Sequence, residues 1–380
     1  MPDVSVVMPS LDEEGTIGAC IEKVKRVFTE QHIDGEIIIA DNSSDRTPEI
    51  ARALGAIVIT PEQRGYGNAY RAGLAHATGE YIVIGDADGT YDFSEIQKFL
   101  QPLLEGKADL VMGNRFGGII MKGAMPRLHQ YIGNPFLTKI LNRLFRIKIS
   151  DAHCGMRSFT RAAYERMALR TGGMEFASEM VVEAAKQRLR IAEVPINYYP
   201  RSAPSKLHSI RDGWRHIRFM MLYRPEPFLF FPGALVFLLG VLLSLTILIR
   251  GNVGTSHMHS LIFSSILVII GFQTVATGII MKAYAAVQGI AEKEGWIKKL
   301  LDYHSLEKEL ALGIGLLLIG FALGLKVIGT WISTGFGSLS EITTAMLAMV
   351  LAAIGIQTIF TAIFLSVLIL REGEPSEIPD

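Results

Sequence analysis

Three carboxylates, Asp86, Asp88 and Asp92, crowd into the stretch VIGDADGTYD (residues 83–92), directly after an apolar run. Like charges this close raise one another's energy unless donors or a cation sit among them. In the D-x-D turn of Asp86, Ala87 and Asp88 both side chains can converge on one ion, and a hard cation such as Mg2+ or Mn2+ suits oxygen ligands of this kind. Capping of a helix that starts near Ser94 is the alternative; it accounts well for Asp92 and poorly for Asp86. Three further polar clusters also follow apolar runs: PSLDEE (9–14), DNSSDRT (41–47) and GNRFGG (113–118).

Side chains from four separate stretches meet only where a scaffold brings the ends of the runs together. The runs VSVVMP, EIIIAD, AIVITP, YIVIGD and DLVMGN alternate with helical patterns near 14–32, 46–54, 66–76 and 94–104. Such alternation predicts a mostly parallel sheet with helices on its faces. Ligands of these sheets bind beyond the carboxyl ends of the strands, which sets all four clusters on one rim. The dinucleotide fingerprint is absent, since no G-x-G-x-x-G follows the first run. The glycines of GYGNAYRAG (65–73) follow the third run instead and read as a tight entry into a helix. Ser44, Asp45 and Thr47 read as the N-cap group of the helix after the second run.

Composition adds a second half of different character. Residues 1–227 hold 29 Lys/Arg and 27 Asp/Glu, whereas residues 228–380 hold 8 and 10. Four apolar segments there, 228–249, 261–281, 310–331 and 343–370, are long enough to span a bilayer, which takes about 20 residues each. Basic residues concentrate in 201–227 and in the loop 282–309, whereas the loops 250–260 and 332–342 hold only Arg250. The first two segments, the N-terminal domain and the C-terminal tail are therefore expected on the cytoplasmic side. A formal net charge of zero gives no sign of a nucleic-acid partner. MPDVSVVMPS has no basic leader, so no signal peptide is expected, and Cys20 and Cys154 are expected as reduced thiols. HMH (257–259) is expected in a solvated outer turn. His153 and Cys154 alone are too few to make a metal site. In LHSIRDGWRHIRFMMLYR (207–224), Ile210, Trp214, Ile217 and Met221 recur at helical spacing beside a basic face, which predicts an interfacial amphipathic helix. GFQTVAT (271–277) and GIQTIFT (355–361) share G-x-Q-T-x-x-T and suggest repeated hairpins, with Gln273 and Gln357 both expected to face protein.

In order, MPSLDEE, ADNSSDRT, GYGNAYRAGL, IGDADGTYDF, GNRF, DAHCGMRSF (151–159), EVPINYYPR (193–201) and SKL (205–207) resemble the family 2 glycosyltransferases of GT-A fold. More narrowly they are similar to the polyprenyl-phosphate hexose synthases, the dolichyl-phosphate mannose and glucose synthases among them, over about residues 3–225. The expected organisation is an α/β, Rossmann-like GT-A domain at 1–206, the amphipathic helix at 207–227, and an all-α domain of four transmembrane helices at 228–371. That domain comprises two hairpins, 228–281 and 310–370, joined by a cytoplasmic helical segment at 282–309, and a cytoplasmic tail at 372–380 follows.

The resemblance implies roles. Pro9, Leu11 and Glu13 line the base and ribose of a nucleotide sugar, Asp41 hydrogen-bonds the base with Ser43 close by, and Asp86, Ala87 and Asp88 line the ribose, sugar and diphosphate. Asp88 is the usual ligand of Mg2+ or Mn2+, with Asp86 beside it. Asp92 and Thr90 are both candidates for a third ligand, because relatives often carry Gln where Thr90 stands. Arg115 and Arg127 match positions that hold a lipid phosphate, for which guanidinium groups are suited; Tyr131 stands where relatives often have Ser. Asp151 and Arg157 are expected as an ion pair or donor contact. The activity implied is inverting hexose transfer from UDP-glucose or GDP-mannose to dolichyl or undecaprenyl phosphate, with glucose preferred on DAHCGMRSF and GMEFASEM. The acceptor phosphate is largely dianionic at neutral pH, so no general base is needed. A processive polysaccharide synthase is the first rival, although Q-x-x-R-W is missing before the spans. A non-catalytic protein that moves lipid-linked sugar is the second. The sequence leaves self-association into a homo-oligomer open.

Overall fold

The structure, a computed structural model, describes residues 2–201, 209–249, 255–291, 295–300, 303–336 and 341–370. Strand β1 (Val4–Ser10) is buried at nearly every position, as a strand covered on both faces must be. Helix α1 (Ile17–Glu30) turns Ile17, Cys20, Ile21, Val24, Val27 and Phe28 inward at helical spacing. The alternation continues through β2 (Gly35–Asp41), α2 (Thr47–Ala53), β3 (Ile57–Ile59), α3 (Tyr66–His76), β4 (Tyr81–Ile84), α4 (Ile96–Leu104) and β5 (Leu110–Asn114). These five strands coincide with the five apolar runs.

After α5 (Asn134–Phe145) come β6 (Arg157–Thr160), α6 (Arg161–Arg166), α7 (Phe176–Lys186) and β7 (Ile191–Pro195), and the strand order is β3-β2-β1-β4-β6-β5-β7. Strand β6 inserts between β4 and β5 and runs antiparallel to both, while all other pairs are parallel. The sheet is therefore mixed. From β1 the chain winds out to β2 and β3, then returns past β1 to β4, and this reversal opens a crevice over the carboxyl ends of β1 and β4. Register sets Ser10 beside Asp41 there.

Helix α8 (Ser209–Tyr223) follows, then α9 (Phe231–Ile249), α10 (Thr255–Val287), α11 (Gly295–Leu300), α12 (Tyr303–Ser333) and α13 (Ile342–Leu370). Four stretches are long and apolar enough to cross a membrane: Glu226–Ile249, His257–Val287, Leu306–Ser333 and Ile342–Leu368. His257, Met258 and His259 lie within α10 and not in a turn, a correction to the expected outer loop. By compactness the chain divides into Met1–Phe219 and Met220–Asp380, so most of α8 belongs with the first unit. Helix α8 has two kinds of apolar surface, since Trp214 is exposed while Phe219, Met220 and Tyr223 are buried. The SKL motif and the tail 372–380 lie outside the described residues.

Glycines make the two membrane hairpins alike. A Cβ built on Gly271 would lie 2.3 Å from Phe237 N on α9, and one on Gly355 would lie 2.6 Å from Leu317 N on α12. In the reverse direction Gly233 and Gly240 abut the backbone N of Val275 and Val268, and Gly313 and Gly320 abut those of Ile359 and Ala352. Side chains at these points would force the helices apart, so close backbone approach depends on glycine. The glutamines are not equivalent. Gln357 is half-buried with its Oε1 shielded, whereas Gln273 is exposed, so the expectation that both face protein fails for Gln273.

Candidate active site

Strand β4 ends at Ile84, and the chain turns through Asp86, Ala87 and Asp88 with Gly89 at φ +79°, a left-handed conformation that suits glycine. Ala87 is buried and its carbonyl accepts the Thr16 hydroxyl at 2.8 Å, which fixes the turn against α1. The Asp86 Oδ1 accepts hydrogen bonds from Tyr66 Oη (2.9 Å) and Tyr70 Oη (3.0 Å), both on the first turns of α3. Tyr70 is fully buried and stacks on Phe176 of α7 at 5.2 Å. Oδ2 of Asp86 faces Gly155, where a Cβ would lie 2.8 Å from it and 3.1 Å from both Tyr66 Oη and Tyr91 Oη, so glycine keeps that space open. Burial, and then the charge of Asp88, raise the Asp86 carboxyl to about 6, while the two tyrosines and Arg201 partly offset the rise. Burial and the Asp86 charge in turn hold both phenols far above the ordinary tyrosine range, so they act as donors.

Asp88 Oδ1 accepts from Thr90 N (3.0 Å) and Thr90 Oγ1 (2.6 Å), and its Oδ2 lies 3.5 Å from Arg201 Nε. Arg201 also pairs through Nη2 with Glu13, tying the end of the chain after β7 to the loop after β1. Asp86 and Asp88 thus each use one oxygen on hydroxyl donors, while the second oxygen of Asp86 faces Gly155 and that of Asp88 faces Arg201. Two carboxylates on one turn, one of them counter-charged only by Arg201 at 3.5 Å on its second oxygen, have the hard oxygen donors that suit a divalent cation keeping its remaining positions for water and phosphate. Asp92 does not join them: it accepts from Ser94 N at 3.2 Å, caps the 3-10 turn Phe93–Glu95 and pairs with Lys23 at 3.1 Å, so Asp92 as a third metal ligand is corrected to a capping residue. Thr90 directs its hydroxyl at Asp88. Among the described residues no group of three or more His, Cys, Asp or Glu is arranged around a metal position.

The loops after β1 and β2 are stitched together. Buried Asp41 accepts from Ser10 Oγ (2.6 Å), Ser43 Oγ (2.5 Å) and Ser43 N (3.1 Å). Asp12, at φ +52°, donates its N–H to Ser43 Oγ (2.7 Å) and accepts from Ser44 N (2.9 Å), and Glu13 N donates to Thr47 Oγ1 (2.9 Å). Pro9 is half-buried and Leu11 is exposed at the mouth. Asp45 accepts from Thr47 N at 2.9 Å at the entry to α2.

The two arginines assigned to the acceptor differ. Arg115 is buried and grips Asp151 with Nε (2.6 Å) and Nη2 (2.8 Å), its guanidinium lying 5.1 Å from the Tyr198 ring centroid. Burial alone would lower its pKa, but Asp151 and Tyr91 raise it well above the ordinary value, so the charge is secure. Arg127 is exposed beside Leu128, just before the π-helical turn His129–Gly133 that displays Tyr131 and Ile132 to solvent. The expected pairing of Asp151 with Arg157 is corrected: Asp151 belongs to Arg115, and fully buried Arg157 donates to the carbonyls of Cys154 (2.9 Å), Ala177 (2.7 Å) and Ala152 (2.8 Å). Arginine there braces the DAHCGMR loop, and β6 pins it to the sheet. Cys20 and Cys154 are both free and buried, and burial pushes the Cys154 thiol up to about 12.

Sequence reasoning passed over three residues of this site. Tyr66 and Tyr70 sit inside GYGNAYRAG, where attention to the glycines hid the i, i+4 pair of hydroxyls. Arg201 closes the EVPINYYPR motif and carries juxtamembrane charge, but neither reading gives it a contact with the carboxylates. Thr90 serves Asp88 locally, whereas Asp86 follows an apolar run with no neighbouring donor, and that was the available signal that distant donors had to exist.

The fold and this rim define a GT-A type glycosyltransferase domain followed by a helical membrane region. Residues 5–168 match the family model Glycosyl transferase family 2, and residues 279–369 match the Glycosyltransferase family 2 C-terminal transmembrane region. The low-salt glycan biosynthesis hexosyltransferase Agl6 of Haloferax volcanii is 42% identical over 368 residues, covering 96% of this chain and 88% of that protein. The dolichyl-phosphate hexose transferase of the same organism is 35% identical over 215 residues, covering 56% of this chain and 89% of that protein. A mycobacterial protein of known structure superposes with a TM-score of 0.50 at 23% identity, over 58% of this chain and 74% of the other, which bears on the fold alone. The chain belongs to glycosyltransferase family 2.

Proposed function

We propose that this membrane glycosyltransferase moves a hexose from a nucleotide sugar to polyprenyl phosphate, dolichyl or undecaprenyl, at the cytoplasmic face, with inversion at the anomeric carbon. Glucose from UDP-glucose is preferred to mannose from GDP-mannose, and the two relatives named for hexose transfer support the class. The observation that carries the proposal is the Asp86–Asp88 turn at the end of β4: two adjacent carboxylates, each with Oδ1 on hydroxyl donors and Oδ2 toward Gly155 or Arg201, in a chain with four membrane spans. Held by these oxygens, Mg2+ or Mn2+ supplies the charge that neutralises a departing diphosphate. Tyr66 and Tyr70 orient Asp86 from behind. Asp41 and Glu13 offer carboxylate acceptors to the N–H edge of a base and to ribose hydroxyls, between Pro9 and Leu11. Arg201 exchanges Asp88 for phosphate oxygens as the donor enters, since guanidinium pairs well with either anion. On the acceptor side Arg127 stands among the exposed apolar residues Leu128, Tyr131, Ile132 and Phe136, a surface suited to a lipid headgroup. Arg115 keeps Nη1 for a phosphate oxygen while Asp151 holds its other edge. The acceptor phosphate is itself the nucleophile, and the chain's part is to aim it and exclude water.

Incubating membranes that carry the full chain with polyprenyl phosphate and each labelled nucleotide sugar in turn tests this. A single sugar transferred to lipid phosphate is expected, lost reversibly on chelation. Formation of polymer, or no lipid product with any donor, would overturn it.

A further inference from the structure

Within the span of α10 the exposed residues from Leu261 to Val287 form one stripe: Phe263, Ile266, Ile270, Gln273, Thr277 and Tyr284. From Phe263 to Thr277 they follow alternating steps of three and four residues, with Tyr284 seven further on, the spacing of a seam between two helices packed at a shallow left-handed angle. The other faces of α10 lie against α9 and α13. Facing lipid would be unremarkable for the apolar members, but Gln273 breaks the pattern one residue from the midpoint of the span His257–Val287. Its Nε2 reaches Thr277 Oγ1 at 3.4 Å, and that hydroxyl sends its own proton to Gln273 O at 2.8 Å. Among the described residues Oε1 and the second amide proton have no partner. No water is present at that depth to supply one, and an unpaired amide in hydrocarbon is strongly disfavoured. Gln357, at the same place in the second hairpin, is half-buried instead, with its Oε1 shielded from the surface and likewise without a hydrogen-bond partner among the described residues.

We infer that the α10 stripe is the interface with a second copy of this chain, with Gln273 pairing with the same residue of that copy. Two copies inserted in the same direction and paired through the same face form a closed dimer about a twofold axis along the membrane normal, and such an axis keeps every residue at its own depth. A residue on the stripe therefore meets itself. An amide is one of the few side chains that satisfies itself across such an axis, because each Oε1 can accept from the opposite Nε2. A polyprenyl or acyl chain offers neither donor nor acceptor. The amide also fixes the register of the seam, as a single polar residue does in a coiled coil.

The test uses the purified full chain in lipid bilayers at varied protein density. Labelled copies should show energy transfer that reports a dimer. Gln273→Leu should lower the association constant about tenfold, equivalent to about 1.4 kcal/mol, and Gln273→Asn should retain most of it. On mild oxidation, Gln273→Cys should form a disulfide-linked dimer, whereas Leu239→Cys on exposed α9 should not. Unchanged transferase activity in each variant would show that the chain remains folded. A monomer at every density, an association unchanged by Gln273→Leu, or equal crosslinking at residue 239 would overturn the inference and leave Gln273 facing lipid.

Discussion

In the proposed reaction Asp86 would carry two burdens at once, staying beside Asp88 and still ionising when a cation arrives. Its carboxyl is raised to about 6 from an ordinary aspartate value. The folded chain therefore holds a proton that the unfolded chain releases in the window between ordinary aspartate titration and about pH 6. Without metal, the first unit should gain stability as pH falls through that window, and the cation should compete with the proton. Accordingly, the concentration of Mg2+ or Mn2+ needed for half-maximal activity should climb below about pH 6, and excess cation should restore the rate. A flat cation requirement from pH 5 to 8 would remove Asp86 from the metal site. Replacing both Tyr66 and Tyr70 with Phe deletes two donors that favour the ionised form, each worth about 0.5–1.5 kcal/mol, so the same midpoint should move upward by about one pH unit or more. Asp88→Ala should reduce transfer about a hundredfold or more, the scale of losing a fixed electrostatic group at a reacting centre, with nucleotide-independent melting little changed. Arg115 requires a different design. Removing it leaves Asp151 buried without its partner, which costs about 3–5 kcal/mol, so Arg115→Ala should melt early whatever its role in the reaction. In Arg115→Met combined with Asp151→Asn the unpaired charge is gone. If that pair melts near the parent yet shows a raised acceptor KM with donor binding intact, Arg115 touches the acceptor; an unchanged acceptor KM would make it purely structural.

At the scale of elements, how well the sequence could be read follows from what each segment packs against. The runs of β1 to β5 are buried on both faces, so their apolar continuity is visible, and α3 begins at Tyr66 because Gly65, at φ +144°, lies too close to Gly172 O to carry a side chain. Strand β6 was not visible because its four residues, RSFT, owe their burial to partners: Arg157 to three carbonyls and Ser158 to the Phe99 carbonyl at 2.9 Å. Burial by hydrogen bonding leaves no hydrophobic signature. The ordering of donor-side residues was legible through motif order, whereas the tyrosines behind Asp86 and the Asp151–Arg115 grip join residues far apart in the chain and needed coordinates. In the membrane half the shared G-x-Q-T-x-x-T was legible, but its partner glycines, Gly233 and Gly240 against Gly313 and Gly320, were hidden among many others. The closest contacts decide what substitution does. Gly271→Leu or Gly355→Leu would drive a side chain into the backbone of α9 or α12, where overpacking costs about 1–3 kcal/mol or more. Each variant should lose resistance to detergent unfolding by a similar amount, since the contacts correspond. Gly315, which has open space around it, should accept Leu with little effect. Equal sensitivity at all three positions would show that the glycines do not set the hairpins.

For the whole molecule, the distribution of charge gives an expected side of the membrane for each end. Arg201, Lys206, Arg211, Arg215, Arg218 and Arg224 precede the first span, and Lys282, Lys293, Lys298, Lys299 and Lys308 lie between the second and third, against a single Arg250 in the two remaining loops. Four spans return the chain to its starting side, and positive charge resists translocation, so both basic segments should stay in the cytoplasm. Glu226 strengthens this end of the first span, because it pairs with buried Lys282 at the end of the second and holds both helix ends at one level. That ion pair has a prediction attached to it. In Glu226→Gln the ammonium of Lys282 loses this carboxylate while shape is kept, so the hairpin should melt earlier than the parent, and Glu226→Gln with Lys282→Met should recover much of the loss, because the charge that the carboxylate offsets is then gone. Topology is read separately, with single cysteines at Lys298 and Gly335 in a chain lacking Cys20 and Cys154. An impermeant thiol reagent applied to sealed cells should label position 335 and leave position 298 unlabelled until the membrane is opened. The reverse pattern would put the carboxylate turn on the outer face, away from cytoplasmic nucleotide sugars, and would exclude the proposed reaction in its present form.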